Sequence, residues 1–139
     1  MKNLLSPHST HPFLQGVGLL SIRLMFGLGM LMGHGWGKLM SFSDLSSSFS
    51  DPLGISHLGS LIAAIFAEVV CAALVSLGLF TRIALLPLIF TMIIAAFVVH
   101  GNDPFATREK ALLYLAAYIG LFFTGPGKLS LDSKLHRHG

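Results

Sequence analysis

Four long apolar runs, almost free of charge, restrict what this chain can fold into more than any other feature. They cover roughly residues 16–40, 58–80, 83–100 and 109–125. A helix rising about 1.5 Å per residue needs about 20 residues to cross a 30 Å hydrocarbon layer. The first two runs meet that length, the third lies near its lower limit, and the fourth is short. The fourth can still span if Tyr114 and Tyr118 face the bundle and Gly125-Pro126-Gly127 turns in the headgroup layer. Composition agrees: 53% of residues are hydrophobic and only 11% are charged, against about 25% charged in soluble domains. Fifteen charges cannot wet the surface of a water-soluble globule of 139 residues, so lipid must meet much of it. The expected fold is all-α, a four-helix transmembrane bundle forming a single domain over residues 1–139.

The connections fit that parsing. Leu77 to Arg82 reads as a tight turn in which Gly78 ends a helix and Arg82 sits at the interface. Residues 101–107 hold Gly, Asn and Pro and cannot stay helical. Between helices one and two, Phe42, Leu45 and Phe49 recur at helical spacing among Ser and Asp. That segment is expected to be an amphipathic stretch lying in the interface and broken at Pro52, with a serine-rich loop as the alternative. Pro87 is expected in the first turn of helix three, where its missing N–H costs little. No cleavable signal peptide is expected, because the first apolar run contains Arg23 and lacks a small-x-small site. Four spans put both termini on one side, with Lys2, Arg82, Lys128, Lys134 and Arg137. Lys38, Arg108 and Lys110 on the other side are diluted by four acids. By the positive-inside rule both termini are expected in the cytoplasm.

Helix one is glycine-rich. Gly29, Gly33 and Gly37 recur every fourth residue and predict a ridge where another helix, of this chain or of a second subunit, packs closely. Cys71, the single cysteine, lies in an apolar run and reads as a small buried hydrophobe. The net charge of +3 does not mark a nucleic-acid binder, since the basic residues are scattered singly.

Ionisable groups inside the runs are few, and each needs a partner or a task, since Arg or Asp at mid-bilayer costs about 2.5–3.5 kcal/mol. Arg23, Gly27, Met30, His34 and Lys38 fall within about 80° of one stripe on helix one. Glu68 shares a face of helix two with Ala64 and Ala72. With the helices antiparallel, Arg23 lies roughly 10 Å and Glu68 roughly 18 Å from the cytoplasmic end, so an Arg23–Glu68 pair is expected. Nearer the other face, His34, Lys38, His57, His100, Asp103 and Glu109 come from helix ends or adjacent loops. One reading is a pocket for a polar head, with Arg23, His34, Lys38, Glu68 and His100 as its ligand-binding candidates. The other is a buried ion pair that only fixes helix register.

No haem-attachment motif, iron–sulfur cysteine set, Walker loop, nucleophile elbow or dinucleotide fingerprint is present. His34 and His100 could ligate haem from two helices, but their spacing supports this no better than chance. No metal site is expected.

These residues resemble the DoxX family of small bacterial membrane proteins over roughly residues 20–135. Arg23-Leu24 through Gly33-His34-Gly35 and Lys38-Leu39 is similar to the family's first helix, and Glu68 followed by Leu77-Gly78-Leu79-Phe80-Thr81-Arg82 to its second. His100 precedes a Gly/Asn/Pro loop, as at the end of the family's third helix. Thr124-Gly125-Pro126-Gly127-Lys128-Leu129-Ser130-Leu131-Asp132 looks like its C-terminal signature, the most specific of these matches. The glycine-rich loop ahead of helix four is abbreviated here to residues 101–107. The resemblance implies a four-helix protein of the bacterial cytoplasmic membrane. It further implies an auxiliary redox component, a candidate oxidoreductase subunit without its own redox cofactor. In that reading, a quinone or similar lipid-soluble carrier binds at Glu68, His34 and His100, with Arg23 tuning the carboxylate. Membrane lipids, a redox partner protein and a second copy of the chain are the partners to expect. A non-catalytic docking scaffold and a small proton-coupled carrier using Glu68 are the alternatives.

Overall fold

In a computed structural model that describes residues 11–135, every regular element is helical. The long rods are α1 (Pro12–Met40), α3 (His57–Leu77), α4 (Thr81–Val99) and α5 (Phe105–Thr124). The short helices are α2 (Phe42–Leu45) and α6 (Leu131–Leu135). The rods α1, α3 and α4 are long and apolar enough to cross a membrane. By contrast, α5 carries Arg108, Glu109 and Lys110 in its first two turns. Neighbouring rods run antiparallel, and α1 also packs on α5, so the ring of helices closes. One end of the molecule holds the loops 41–56 and 100–104. The other holds the 78–80 turn and the C-terminal segment. Lys2 and Arg137, two of the basic residues expected on the cytoplasmic side, lie outside the described residues.

The core is a narrow seam of Met30, Ala72, Val75, Leu85, Leu88 and Tyr118, all at most 1% exposed. Outward lie large apolar side chains, with Phe123 75% exposed and Met25 and Met32 each 73%. A water-soluble protein of this size would not present such a surface. Cys71 is buried in the seam, as expected. Tyr118 faces inward, and its hydroxyl donates to the Phe26 carbonyl of α1 at 3.0 Å.

Three rods depart from α-helical winding near the loop end. Residues Leu31–Gly35 of α1, Phe66–Cys71 of α3 and Ala95–Val99 of α4 form π turns. Each π turn takes in one extra residue and rotates the helix beyond it. The rotation explains why close packing does not fall on the expected glycine ridge. In a straight α-helix, Gly27 and Gly35 lie roughly 80° apart; with one residue absorbed they lie only about 20° apart. Both therefore meet α3. A Cβ on Gly27 would stand 3.0 Å from the Ala72 carbonyl oxygen, and one on Gly35 would stand 2.6 Å from that of Glu68. Of the predicted ridge, only Gly29 approaches another rod, beneath the Tyr114 hydroxyl, while Gly33 and Gly37 look onto open space.

Pro87 is the seventh residue of α4, one turn deeper than predicted. Its own carbonyl accepts the Thr91 hydroxyl at 2.8 Å. In the 41–56 connection only α2 is helical, and the rest is turn and loop. Asp51 organises that loop by accepting from the Ile55 and Ser56 amides and the Ser60 hydroxyl at 2.8–3.0 Å.

At the other end, the C-terminal segment folds back over the 78–80 turn. Asp132 accepts from the Phe80 and Thr81 amides at 2.8 and 3.0 Å and from the Thr81 hydroxyl at 2.8 Å. Asp132 thus caps α4 from a distant part of the chain. It also holds Phe80 at φ +48°, a conformation non-glycine residues rarely adopt. Gly78, at φ +70°, is required on a second count, because a Cβ there would strike the Arg23 guanidinium.

Candidate functional site

Arg23 and Glu68 do not meet. Arg23, only 1% exposed, points to the end that holds the C-terminal segment, and its Nη2 donates to the Leu129 carbonyl at 2.6 Å. The acid whose charge it feels is Asp132. Extended along α1, the side chain reaches backbone from residues 78 and 129 sooner than it reaches Glu68, which lies about three turns deeper. Arg23 therefore belongs to the closure of the C-terminal end and does not tune the Glu68 carboxylate.

Glu68, 5% exposed, takes Lys38 instead. Lys38 Nζ donates to Glu68 Oε2 at 2.5 Å. Both residues sit at or beside π turns, which aim their side chains into the space between α1, α3 and α4. A lysine stem reaching down from the helix end brings its charge to a carboxylate that would be costly alone. Lys38 keeps two further donors and the carboxylate a second oxygen, so a bound group can still be recognised.

Beside this pair lies a cavity of about 290 Å³. His34, Lys38, Glu68 and His100 all line it, so four of the five candidate residues converge and Arg23 alone is elsewhere. His34 comes from the π turn of α1 and packs edge-on against Tyr114, with ring centroids 5.7 Å apart. His100 ends the π turn of α4, and its Nδ1 lies 2.7 Å from Asp103 Oδ2. Of the other groups expected near here, His57 Nδ1 is engaged by the Phe49 carbonyl at 2.6 Å, and Glu109 is exposed.

Three polar lining residues were not among the site candidates: Thr107, Lys110 and Tyr114 of α5, of which Tyr114 was expected only to face the bundle. They share one helical face at i, i+3 and i+7. That spacing was the available signal, but a cation at a helix start and a tyrosine in an apolar run each look ordinary alone. Lys110 gives the cavity a second lysine beside the single carboxylate of Glu68.

A second, apolar cavity of about 330 Å³ lies between α3 and α4 beneath the 49–55 loop. It shares Lys38, Glu68, Ala95 and His100 with the first. Ser60, Ala63 and Ala64 leave room for it by presenting little side chain on that face of α3.

The apolar exterior, the all-helical build and the scarcity of charge along the rods define an all-helical membrane protein. The chain belongs to the DoxX family, whose profile matches residues 18–101. That match takes in α1, α3 and α4 with His34, Lys38, Glu68 and His100. It stops before α5 and the C-terminal signature, so it is narrower than the resemblance suggested. An uncharacterized membrane protein of Mycobacterium tuberculosis is 31% identical to the chain, over 86% of the chain and 82% of its own length. An uncharacterized protein of Haemophilus influenzae is 34% identical, over 78% and 84% respectively. No solved structure matches.

Proposed function

We propose that this protein crosses the bacterial cytoplasmic membrane four times, with both termini in the cytoplasm. In this reading it binds the head of a quinone or a similar lipid-soluble carrier in the polar cavity. The observation that carries the reading is the Lys38–Glu68 pair, whose carboxylate is buried and whose lysine is partly so. It faces a cavity with His34, His100 and Tyr114, at the level where three rods are rewound. An ion pair needed only for packing does not require a cavity beside it, nor two histidines along the walls.

The residues fit such a head. Lys38 and Lys110 supply donors for a carbonyl oxygen, and Tyr114 adds an aromatic wall and a hydroxyl. Glu68 and His34 are groups that hold or pass a proton at that oxygen. A quinone, when bound, supplies two-electron, two-proton chemistry. The protein holds the head in place, keeps bulk water from it and hands protons to or from the loop end through His34 and His100. Electrons arrive from a partner, which makes this chain an auxiliary redox component. For the fourth span, α5 buries Leu115, Tyr118 and Leu121 against its neighbours, and its charged first turns lie level with the loops.

The test is quinone binding to purified protein with Glu68→Gln and Lys38→Met. Removing one charged hydrogen bond should weaken binding by about tenfold or more in each variant. Unchanged affinity in both variants removes this site.

A further inference from the structure

The polar and apolar cavities adjoin, and their shared walls make them one site. Ligand pockets usually hold about 300–1,000 Å³. At about 290 and 330 Å³, each of these lies at the lower end, while the two joined would fall inside the range. What divides them is the Lys38–Glu68 contact, whose residues face both sides. The two halves differ in chemistry. One carries His34, Lys110 and Tyr114. The other carries Phe49, Leu53, Phe90 and Ile94 on a face where Phe90 is 53% exposed to the surrounding lipid.

We infer that the site takes a single-chain amphiphile that enters sideways from the bilayer. Its head lies with His34 and Tyr114 and its chain lies in the α3–α4 groove, the two meeting at the Lys38–Glu68 pair. The inference rests on the proposed function for the head and adds the chain, its path and the role of the pair as the partition. Continuity carries it: a molecule reaching the polar half from lipid has the groove as an approach, and an acyl or isoprenoid chain left in the groove gains close packing against its fixed walls. The 49–55 loop roofs the groove. It is fixed to α3 by the bonds from Asp51 to Ser60 and from His57 to Phe49. Access is therefore lateral, between α3 and α4, and not through the roof.

The experiment compares a decyl-substituted benzoquinone with its tail-less methyl counterpart. Both are measured by competition on the full-length protein in nanodiscs and corrected for partition into lipid. The wild type should prefer the decyl compound by about tenfold, through packing of the chain in the groove. Ala64→Leu and Ala64→Phe, which fill the groove alone, should bring that preference close to one while leaving tail-less binding unchanged. Retained tail-less binding also reports an intact fold. As a second readout, a photoreactive group at the end of the chain should label Phe49, Leu53, Phe90 or Ile94. Equal affinity of the wild type for both compounds overturns the inference while leaving the proposed function standing. Labelling on the lipid faces of α1 and α5 overturns it likewise. If neither compound binds the wild type, the proposed function fails and this inference with it.

Discussion

Replacing Gly35 with alanine tests how the glycines hold this fold together. The added methyl would stand 2.6 Å from the Glu68 carbonyl oxygen and 2.8 Å from both its carbon and Val69 Cγ2. Two of these three are backbone atoms, which cannot swing aside as a side chain end can. To regain 3.4 Å, where ordinary contact begins, α1 and α3 must part by about 0.8 Å. A radial gap of 0.5–1 Å forfeits roughly a quarter to a half of the dispersion energy of the facing atoms. Overpacking of this kind costs about 1–3 kcal/mol, and the better helix propensity of alanine returns about 0.5–1 kcal/mol. The net expectation is a loss of about 1–2 kcal/mol. Gly33→Ala is the control, because a methyl there meets nothing within 4 Å, so only the propensity gain applies. Reversible unfolding in mixed micelles, read by circular dichroism, should order the proteins as Gly33→Ala at or above wild type and Gly35→Ala below it. If Gly33→Ala proves the more damaging of the two, the π-turn account of this interface is wrong.

The two ends of the molecule carry one further expected outcome each. Asp132→Ala should cost about 1–2 kcal/mol by uncapping α4, with Asp132→Asn recovering part of it; unfolding midpoints equal to wild type would show that the cap contributes nothing. In the 49–56 loop, the Ser60 hydroxyl first, and then the Ser56 and Ile55 amides, hold the Asp51 carboxyl below its ordinary range. Because the folded value is depressed, the loop keeps this stability above the ordinary value of about 3.9 and loses it as pH falls through the depressed one. Hydrogen exchange at Ile55 and Ser56 should therefore accelerate in acid in the wild type and show no such step in Asp51→Asn. Protection that stays flat through the acid range in the wild type would contradict this.

The sequence made some of this architecture legible for a plain reason. Charges are so rare in the apolar runs that Arg23, Glu68, His34 and Lys38 stand out, and a lipid solvent forces them inward. Three of the four do converge, joined by His100. The pairing was not legible, because it depends on reach and winding rather than on order along the chain. Lys38 approaches Glu68 down its stem from a helix end, while Arg23 is taken by a carbonyl far along the chain. Within the chain, close packing falls elsewhere than on the glycine ridge, on similar grounds. Spacing of four finds a stripe on a regular helix, but a π turn at 31–35 moves the contact to Gly27 and Gly35. Nothing in Leu31 to Gly35 announces that turn. That Lys110 and Tyr114 line the cavity became visible only once α5 was placed against α1.

The bond from Arg23 to Leu129 spans 106 positions. At synthesis rates of about 5–20 residues per second, several seconds separate the birth of that cation from the birth of the oxygen that receives it. Through that interval the leading helix holds a guanidinium that no later helix has yet been made to shelter. Helix α1 is thus provisionally seated, and a segment made much later, with its Leu129 carbonyl and the Asp132 charge, completes its closure.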